Sequence, residues 1–125
     1  MSRHTENQSW LVKRGGDVVK KMAAGGVASL NDWERLLYCV WVTDYMLRNA
    51  GDFANAPVMY PDFQKDAARF AKTLGLKLTF ELFSLSQLKL QRDYFDRFEA
   101  ICDEIKRAES GTIRGLDLPD STGRN

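Results

Sequence analysis

Apolar residues are concentrated in one segment, which runs from Asn31 to Phe53 and reads NDWERLLYCVWVTDYMLRNAGDF. Asn31, followed three residues later by Glu34, matches the capping-box signal for a helix start. The helix that follows is apolar on several faces, which is typical of a helix buried at the centre of a fold. Gly51 predicts where this helix ends. We therefore expect the surrounding core to hold the polar turn at residues 48–52 in place.

Helical spacing of apolar positions also appears on both sides of this segment. Further helices are predicted from Asp17 to about Ala24, from Pro61 to Leu74, over residues 79–84, and from Ser86 or Gln87 to about Ala108. No segment shows the alternation of polar and apolar residues that marks a strand. The predicted fold is all-α, a single-domain irregular (orthogonal) bundle of about five helices.

The two ends of the chain lack this periodicity. Residues 1–9 are polar, and residues 109–125 are rich in Gly, Ser, Asp and Arg. Such composition predicts a flexible N-terminus and a disordered tail on either side of a helical domain at 10–108. Within that domain, the pair Gly15-Gly16 predicts a break in the chain just before the first helix.

Composition places the chain among ordinary globular proteins. It has 125 residues, of which 44% are hydrophobic and 28% are charged, and this length fits one domain. No run approaches the ~20 apolar residues of a membrane span. The N-terminus, MSRHTENQSW, has no apolar stretch of the signal-peptide type. The expectations are a cytoplasmic location and no membrane partner.

Few residues suited to metal or covalent chemistry are present. Cys39 and Cys102 lie on apolar helical stretches, which favours buried thiols, although a disulfide between them is an open alternative. There is no CxxC motif, and the single histidine, His4, lies in the polar N-terminal segment. No nucleophile elbow or phosphate-binding loop occurs. We therefore assign no metal, cofactor or catalytic residue, and a non-enzymatic role is favoured.

Charge alternates in blocks along the chain. The net charge is +3 over residues 1–30, −3 over 31–66, +4 over 67–92 and −3 over 93–125, which leaves +1 overall. A nucleic-acid-binding protein normally concentrates positive charge on one face. The sequence therefore predicts no direct nucleic-acid partner.

Two groups of residues near the end of the central helix are candidate sites. Asp44 and Arg48 are spaced to pair on one helix face, and with Asp52 they could form a polar pocket. The alternative is a structural ion pair beside a turn fixed by its own side chains. The aromatic residues are mostly expected in the core, with Phe53 and Tyr60 the most exposed. The candidate partner-binding surface consists of Arg48, Asn49, Asp52, Phe53, Met59 and Tyr60.

The order of several short motifs resembles a bacterial family of small all-helical proteins of unknown function, related to the C-terminal domain of a DNA-mimic protein. The resemblance covers about residues 30–106. The motifs that carry it are Glu34-Arg35-Leu36-Leu37-Tyr38, Val40-Trp41, Asn49-Ala50-Gly51-Asp52-Phe53, Leu74-Gly75 and Tyr94-Phe95-Asp96-Arg97-Phe98. It implies an all-helical fold. It does not imply DNA mimicry, because this chain has no acidic run that could imitate phosphates.

These observations lead to three functional hypotheses. The first is a non-enzymatic interaction domain that docks a protein partner, or a second copy of itself, through the loop at 49–63 and the adjoining helix ends. The second is a protein or enzyme that binds a small molecule or a divalent metal through Asp44 and Asp52. The third, which comes from the resemblance alone, is a regulator of a nucleic-acid-binding protein.

Overall fold

A computed structural model confirms the all-α prediction and describes the backbone of residues 3–117 and the side chains of residues 5–109. These residues form six helices and one short 3₁₀ turn. In chain order they are α1 (Arg3–Gly25), the 3₁₀ turn η1 (Val27–Ser29), α2 (Asp32–Ala50), α3 (Ala56–Met59), α4 (Phe63–Leu74), α5 (Lys77–Phe83) and α6 (Gln87–Asp117). Within this part of the chain, no helix is both long and apolar enough to cross a membrane.

Helix α2 is the central helix, as its composition predicts. Both hydrogen bonds of the capping box form, because Asn31 accepts from the Glu34 amide at 2.8 Å and Glu34 accepts from the Asn31 amide at 2.9 Å. The helix ends at Gly51, whose φ of 78° lies in the left-handed region that glycine adopts without strain. Helices α1, α4 and α6 all pack against α2, so its polar end is fixed by the core around it.

Helix α1 differs most from the prediction. The expected loose segment at residues 3–9 and the expected break at Gly15-Gly16 are instead parts of one continuous helix. Near its start, the buried Asn7 donates to Glu99 and accepts from Lys106, both at 2.5 Å. These contacts join the polar start of α1 to α6. Met1 and Ser2 lie outside the described residues.

Gly15 explains why a glycine pair occurs inside a helix. A Cβ added at this position would lie 2.4 Å from Cδ1 of Trp41 on α2, well inside the distance at which two carbons touch. The missing side chain therefore lets α1 lie directly against the Trp41 ring. The neighbouring Gly16 has no such role, because nothing lies within 4 Å of the same added atom there.

Helix α6 also extends further than its sequence predicts. The expected end near Ala108 is wrong, because the helix continues to Asp117 and so includes part of the predicted tail. At the beginning of this extension, Glu109 pairs with Arg14 of α1 at 2.9 Å. Residues 118–125 lie outside the described part of the chain.

The second half of the bundle is joined by polar contacts at helix ends. The carboxylate of Glu104 on α6 accepts from the amides of Leu78 and Thr79 at 2.9 and 2.8 Å, and also from the Thr79 hydroxyl. It therefore satisfies amides in the first turn of α5 that have no partner within the helix. Gly75, with a φ of 73°, ends α4 and allows the sharp turn into α5.

The two glycines of α1 provide a matched test of this packing. We expect Gly15→Ala to lower the free energy of unfolding by about 1–3 kcal/mol, because the methyl group would collide with the Trp41 ring. Gly16→Ala should raise it by about 1 kcal/mol, because alanine favours the helix and meets no obstacle. Urea denaturation of both variants measures the difference. Equal effects would show that α1 and α2 are not in close contact at Gly15.

Candidate functional site

Four aromatic rings form a continuous row along the outer face of α2. Tyr60 stacks on Tyr38 with ring centres 5.6 Å apart, Tyr38 on Trp41 at 6.3 Å, and Trp41 on Tyr45 at 5.7 Å. We call these four residues the aromatic ladder. Most aromatic residues lie in the core, as predicted, but the ladder residues are more exposed: Tyr45 is 48% exposed, and Tyr38 and Trp41 are half-buried.

A cavity of about 390 Å³ opens at the Tyr60 end of the ladder. It lies between η1, the start of α2, the segment after α3, and α4. We call it the arginine groove, because Arg35 and Arg69 line it from α2 and α4. Both guanidinium groups approach the Phe70 ring, Arg69 at 4.3 Å and Arg35 at 5.8 Å from its centre. The remaining lining residues are Val27, Leu30, Tyr38, Met59, Tyr60, Pro61 and Asp66.

Hydrogen bonds inside the groove occupy only some of the nitrogens of its two arginines. Asp66 is satisfied by the Tyr60 hydroxyl, which donates to it at 2.5 Å, and by Arg69 at 3.2 Å. Arg35 donates through Nη2 to the Val27 carbonyl at 3.3 Å. Its Nε is buried and has no hydrogen-bond partner among the described residues. The accessible positive charge of the groove is that of Arg69, whose side chain is 57% exposed.

Tyr60 is a hydrogen-bond donor over the whole physiological range. Burial, reinforced by the nearby Cys39 and Asp66, raises the pKa of its hydroxyl well above the usual value. The Cys39 thiol lies 3.7 Å from the same oxygen. Because the hydroxyl keeps its proton, it continues to donate to Asp66 and holds that carboxylate at the groove wall.

A second cavity, of about 300 Å³, opens at the other end of the ladder. We call it the helix-end pocket, and its lining residues are Val12, Trp41, Asp44, Tyr45, Arg48 and Asn49. The guanidinium of Arg48 lies over two rings of α6, 4.8 Å from the centre of Phe95 and 5.3 Å from that of Phe98. Its Nη2 is buried without a hydrogen-bond partner in the described part of the chain.

Asp44 forms the pair with Arg48 that their spacing predicts. The carboxylate is only 4% exposed, and it accepts from Arg48 Nε at 2.8 Å and from the Tyr94 hydroxyl at 2.9 Å. Both of its oxygens are therefore already bonded to protein groups. This geometry matches the structural ion pair that the sequence left open as one interpretation.

The predicted surface is divided between these two cavities. Arg48 and Asn49 line the helix-end pocket, while Met59 and Tyr60 line the arginine groove. Asp52 lines neither cavity and accepts instead from the Ala54 amide at 3.0 Å within its own turn.

Phe53 was expected to be exposed, and this prediction is wrong. Its side chain is only 6% exposed, and its ring packs against Phe63 with the centres 4.9 Å apart. The cause is the turn after Gly51, which directs the ring into the core between α2 and α4. Phe53 is therefore a core residue.

The residues that give the arginine groove its charge were not predicted from the sequence. Arg35 and Arg69 come from different helices, and Val27 from a 3₁₀ turn, so only tertiary packing brings them together. One signal was present in the sequence, because Tyr38, Trp41 and Tyr45 recur at helical spacing and are amphipathic aromatic residues that tolerate partial exposure. Across the side chains at 5–109, no group of three His, Cys, Asp or Glu residues is arranged to hold a metal ion.

Comparisons with known proteins add no relative. No protein-family model matches the chain, and neither the curated proteins nor the solved structures include a significant match. The resemblance to the family related to a DNA-mimic protein therefore stays a prediction.

Removing one hydroxyl tests the buried network beneath the helix-end pocket. We expect Tyr94→Phe to lower the free energy of unfolding by about 1–3 kcal/mol, because one oxygen of the buried Asp44 would lose its donor. Tyr45→Phe is the matched control, since that ring is half exposed. Urea denaturation should separate the two variants. A Tyr94→Phe protein as stable as the control would contradict the hydrogen bond.

The two buried thiols predict how stability changes at high pH. Burial raises the pKa of Cys39 to about 12 and also raises that of Cys102, whereas a thiol in the unfolded chain has a pKa of about 8.5. The contribution of the two protonated thiols to the free energy of unfolding is therefore complete below that pH and is lost as the pH rises. Each thiol should lower the free energy of unfolding by up to about 1.4 kcal/mol per pH unit.

Denaturation between about pH 8 and 9 measures this slope below the pH of about 10 at which a tyrosine in the unfolded chain titrates. In the double variant Cys39→Ala, Cys102→Ala, we expect the slope over this window to flatten, whatever the change in stability at neutral pH. An unchanged slope would show that the thiols are not protected from ionisation by the fold.

Proposed function

We propose that this protein is a non-enzymatic interaction domain that docks an acidic segment of a partner protein in the arginine groove. The observation that carries the proposal is the pair of guanidinium groups, Arg35 and Arg69, that line one open cavity beside the Phe70 ring. The Arg69 side chain is 57% exposed, so a partner's carboxylate can reach it, and Arg35 adds a second positive charge to the same cavity. Hydrogen bonds between a guanidinium and a carboxylate are charge-assisted and strong.

The apolar residues of the groove account for the rest of the contact. Val27 is 53% exposed, and Met59, Tyr38 and Phe70 lie around the two guanidinium groups. Protein interfaces commonly combine aromatic, Met and Arg side chains at their centre. The expected partner segment therefore carries an apolar or aromatic side chain next to Asp or Glu.

The hypothesis of a small-molecule or metal site at Asp44 and Asp52 has less support. Asp44 is bonded by Tyr94 and Arg48, and Asp52 is bonded within its own turn. Regulation of a nucleic-acid-binding protein has support only from the family resemblance. Docking of an acidic segment is compatible with it, since the identity of the partner protein is left open.

Selection from a phage-displayed library of random peptides tests the proposal. We expect the selected peptides to be enriched in Asp or Glu beside an aromatic or apolar residue. Arg35→Gln should weaken their binding by about tenfold or more, because it removes the charge while keeping a polar side chain of similar size. Fluorescence anisotropy with a labelled peptide gives the affinity.

The matched control is Arg92→Gln, which removes an exposed arginine of α6 that pairs with Asp93 outside the groove. This variant should bind like the unmodified protein. Equal losses of affinity in both variants would show that the effect comes from the overall charge of the protein and not from the groove. Failure to select any peptide would remove the proposed function.

A further inference from the structure

The segment that follows α6 has the chemistry expected of a ligand for the arginine groove. Residues 118–125 read LPDSTGRN, so Asp120 comes directly after Leu118 and Pro119. This is one carboxylate beside two apolar side chains, the pattern expected of the partner segment. Asp120 is also the one acidic residue of the sequence outside the backbone at 3–117, which the bundle already holds in place.

The groove has the charge to accept one carboxylate. Its lining contains two arginines and one aspartate, which gives a net charge of +1. The charge of Asp66 is already balanced, because it pairs with Arg69 at 3.2 Å and accepts from the Tyr60 hydroxyl. The charge of Arg35 is matched by no second carboxylate among the described lining residues. The single negative charge of residues 118–120 complements it.

The rim of the groove offers apolar surface to Leu118 and Pro119. Val27 lines the groove and is 53% exposed, and Val58, which precedes the lining residue Met59, is 89% exposed. Covering such side chains with other apolar groups is favourable in water. The two halves of the segment, apolar and acidic, therefore both find a matching surface at the groove.

Helix α6 ends at the same end of the bundle at which the groove opens. Trp33 donates to the Ile105 carbonyl at 2.8 Å, and Tyr94 donates to Asp44 at 2.9 Å, so α2 and α6 run in opposite directions. Asp117 lies 12 residues after Ile105. The helix therefore continues for about 18 Å beyond the level of Trp33, past the start of α2.

This projection carries the segment out of reach of the groove in its own chain. Arg35 comes two residues after Trp33, so roughly 20 Å along the bundle axis separates it from the end of α6. No described residue of α6 lines the groove, so a sideways distance is added. Asp120 is three residues beyond Asp117, a length that covers at most about 10 Å. The segment can therefore fill only the groove of another molecule.

We propose that two copies of this chain pair by each placing residues 118–120 in the arginine groove of the other, where Arg69 and Arg35 receive the carboxylate of Asp120. This inference rests on the proposed function and names its partner as a second copy. Each copy has one groove and one segment at the same end of the bundle. A two-fold pair therefore uses both and leaves neither open for further growth.

Sedimentation velocity of the full chain at increasing concentration tests the pairing. We expect a reversible monomer–dimer equilibrium. Asp120→Asn should raise its dissociation constant by about tenfold or more, because it removes the charge while keeping the shape of the side chain. Asp96→Asn is the matched control, since Asp96 is exposed on α6 and lines neither cavity. The control should dimerise like the unmodified protein.

Mixing two variants tests whether the contact is made between copies. Arg69→Gln should weaken the dimer as Asp120→Asn does, since each change disrupts both contacts of the pair. In a mixed dimer, the Asp120→Asn copy supplies an intact groove and the Arg69→Gln copy supplies an intact segment, so one contact is restored. The mixture should therefore associate more tightly than either variant alone. Circular dichroism verifies that both variants are folded.

The alternative outcomes separate this inference from the proposed function. A chain that stays monomeric, while selected library peptides bind and are lost in Arg35→Gln, would overturn the pairing and leave the proposed function standing. A dimer unaffected by Asp120→Asn would overturn it as well, because the copies would then meet elsewhere. A monomer that binds those peptides more tightly after Asp120→Asn would show that the segment fills its own groove. If neither a dimer nor a selected peptide is found, both proposals fall.

Discussion

The close contact between Gly15 of α1 and the Trp41 ring of α2 is the constraint on which the outer surface depends. Because the glycine has no Cβ, α1 lies directly against the indole. Trp41 is thereby fixed from one side, and it holds Tyr38 and Tyr45 by stacking on the other. A helix-breaking residue inside α1 is the cost of this arrangement, and it is offset by the packing that the glycine permits.

The position of the ladder determines where the two cavities open. Tyr60 closes the row at one end and is held there by Asp66, while Tyr45 closes it at the other. The buried bonds of Asp44 to Arg48 and Tyr94 give the helix-end pocket a fixed floor. Rigid aromatic rings between two fixed guanidinium groups form a surface that needs little ordering before a partner binds.

Sequence signals correctly predicted the helix boundaries that depend on residues close to one another in the chain. The capping box of Asn31 and Glu34 and the stop at Gly51 depend on neighbouring residues, so the sequence was sufficient to predict α2. Gly15 was misread as a break, because its reason lies in Trp41 on another helix. The start of α1 was missed for the same reason, since Asn7 is held by residues more than ninety positions away.

The charge of the candidate site also depends on residues that are distant in sequence, so it could not be predicted from the sequence alone. Counted along the chain, Arg35 lies in a block with a net charge of −3, and nothing there suggests an anionic partner. Folding brings Arg69 of the next, positive block beside it over the shared Phe70 ring. The acidic residues of the first block are meanwhile used internally, Glu34 at the helix cap and Asp44 beneath Arg48. The character of the surface therefore depends on which charges folding has already paired, and the 57% exposed side chain of Arg69 leaves positive charge at the groove.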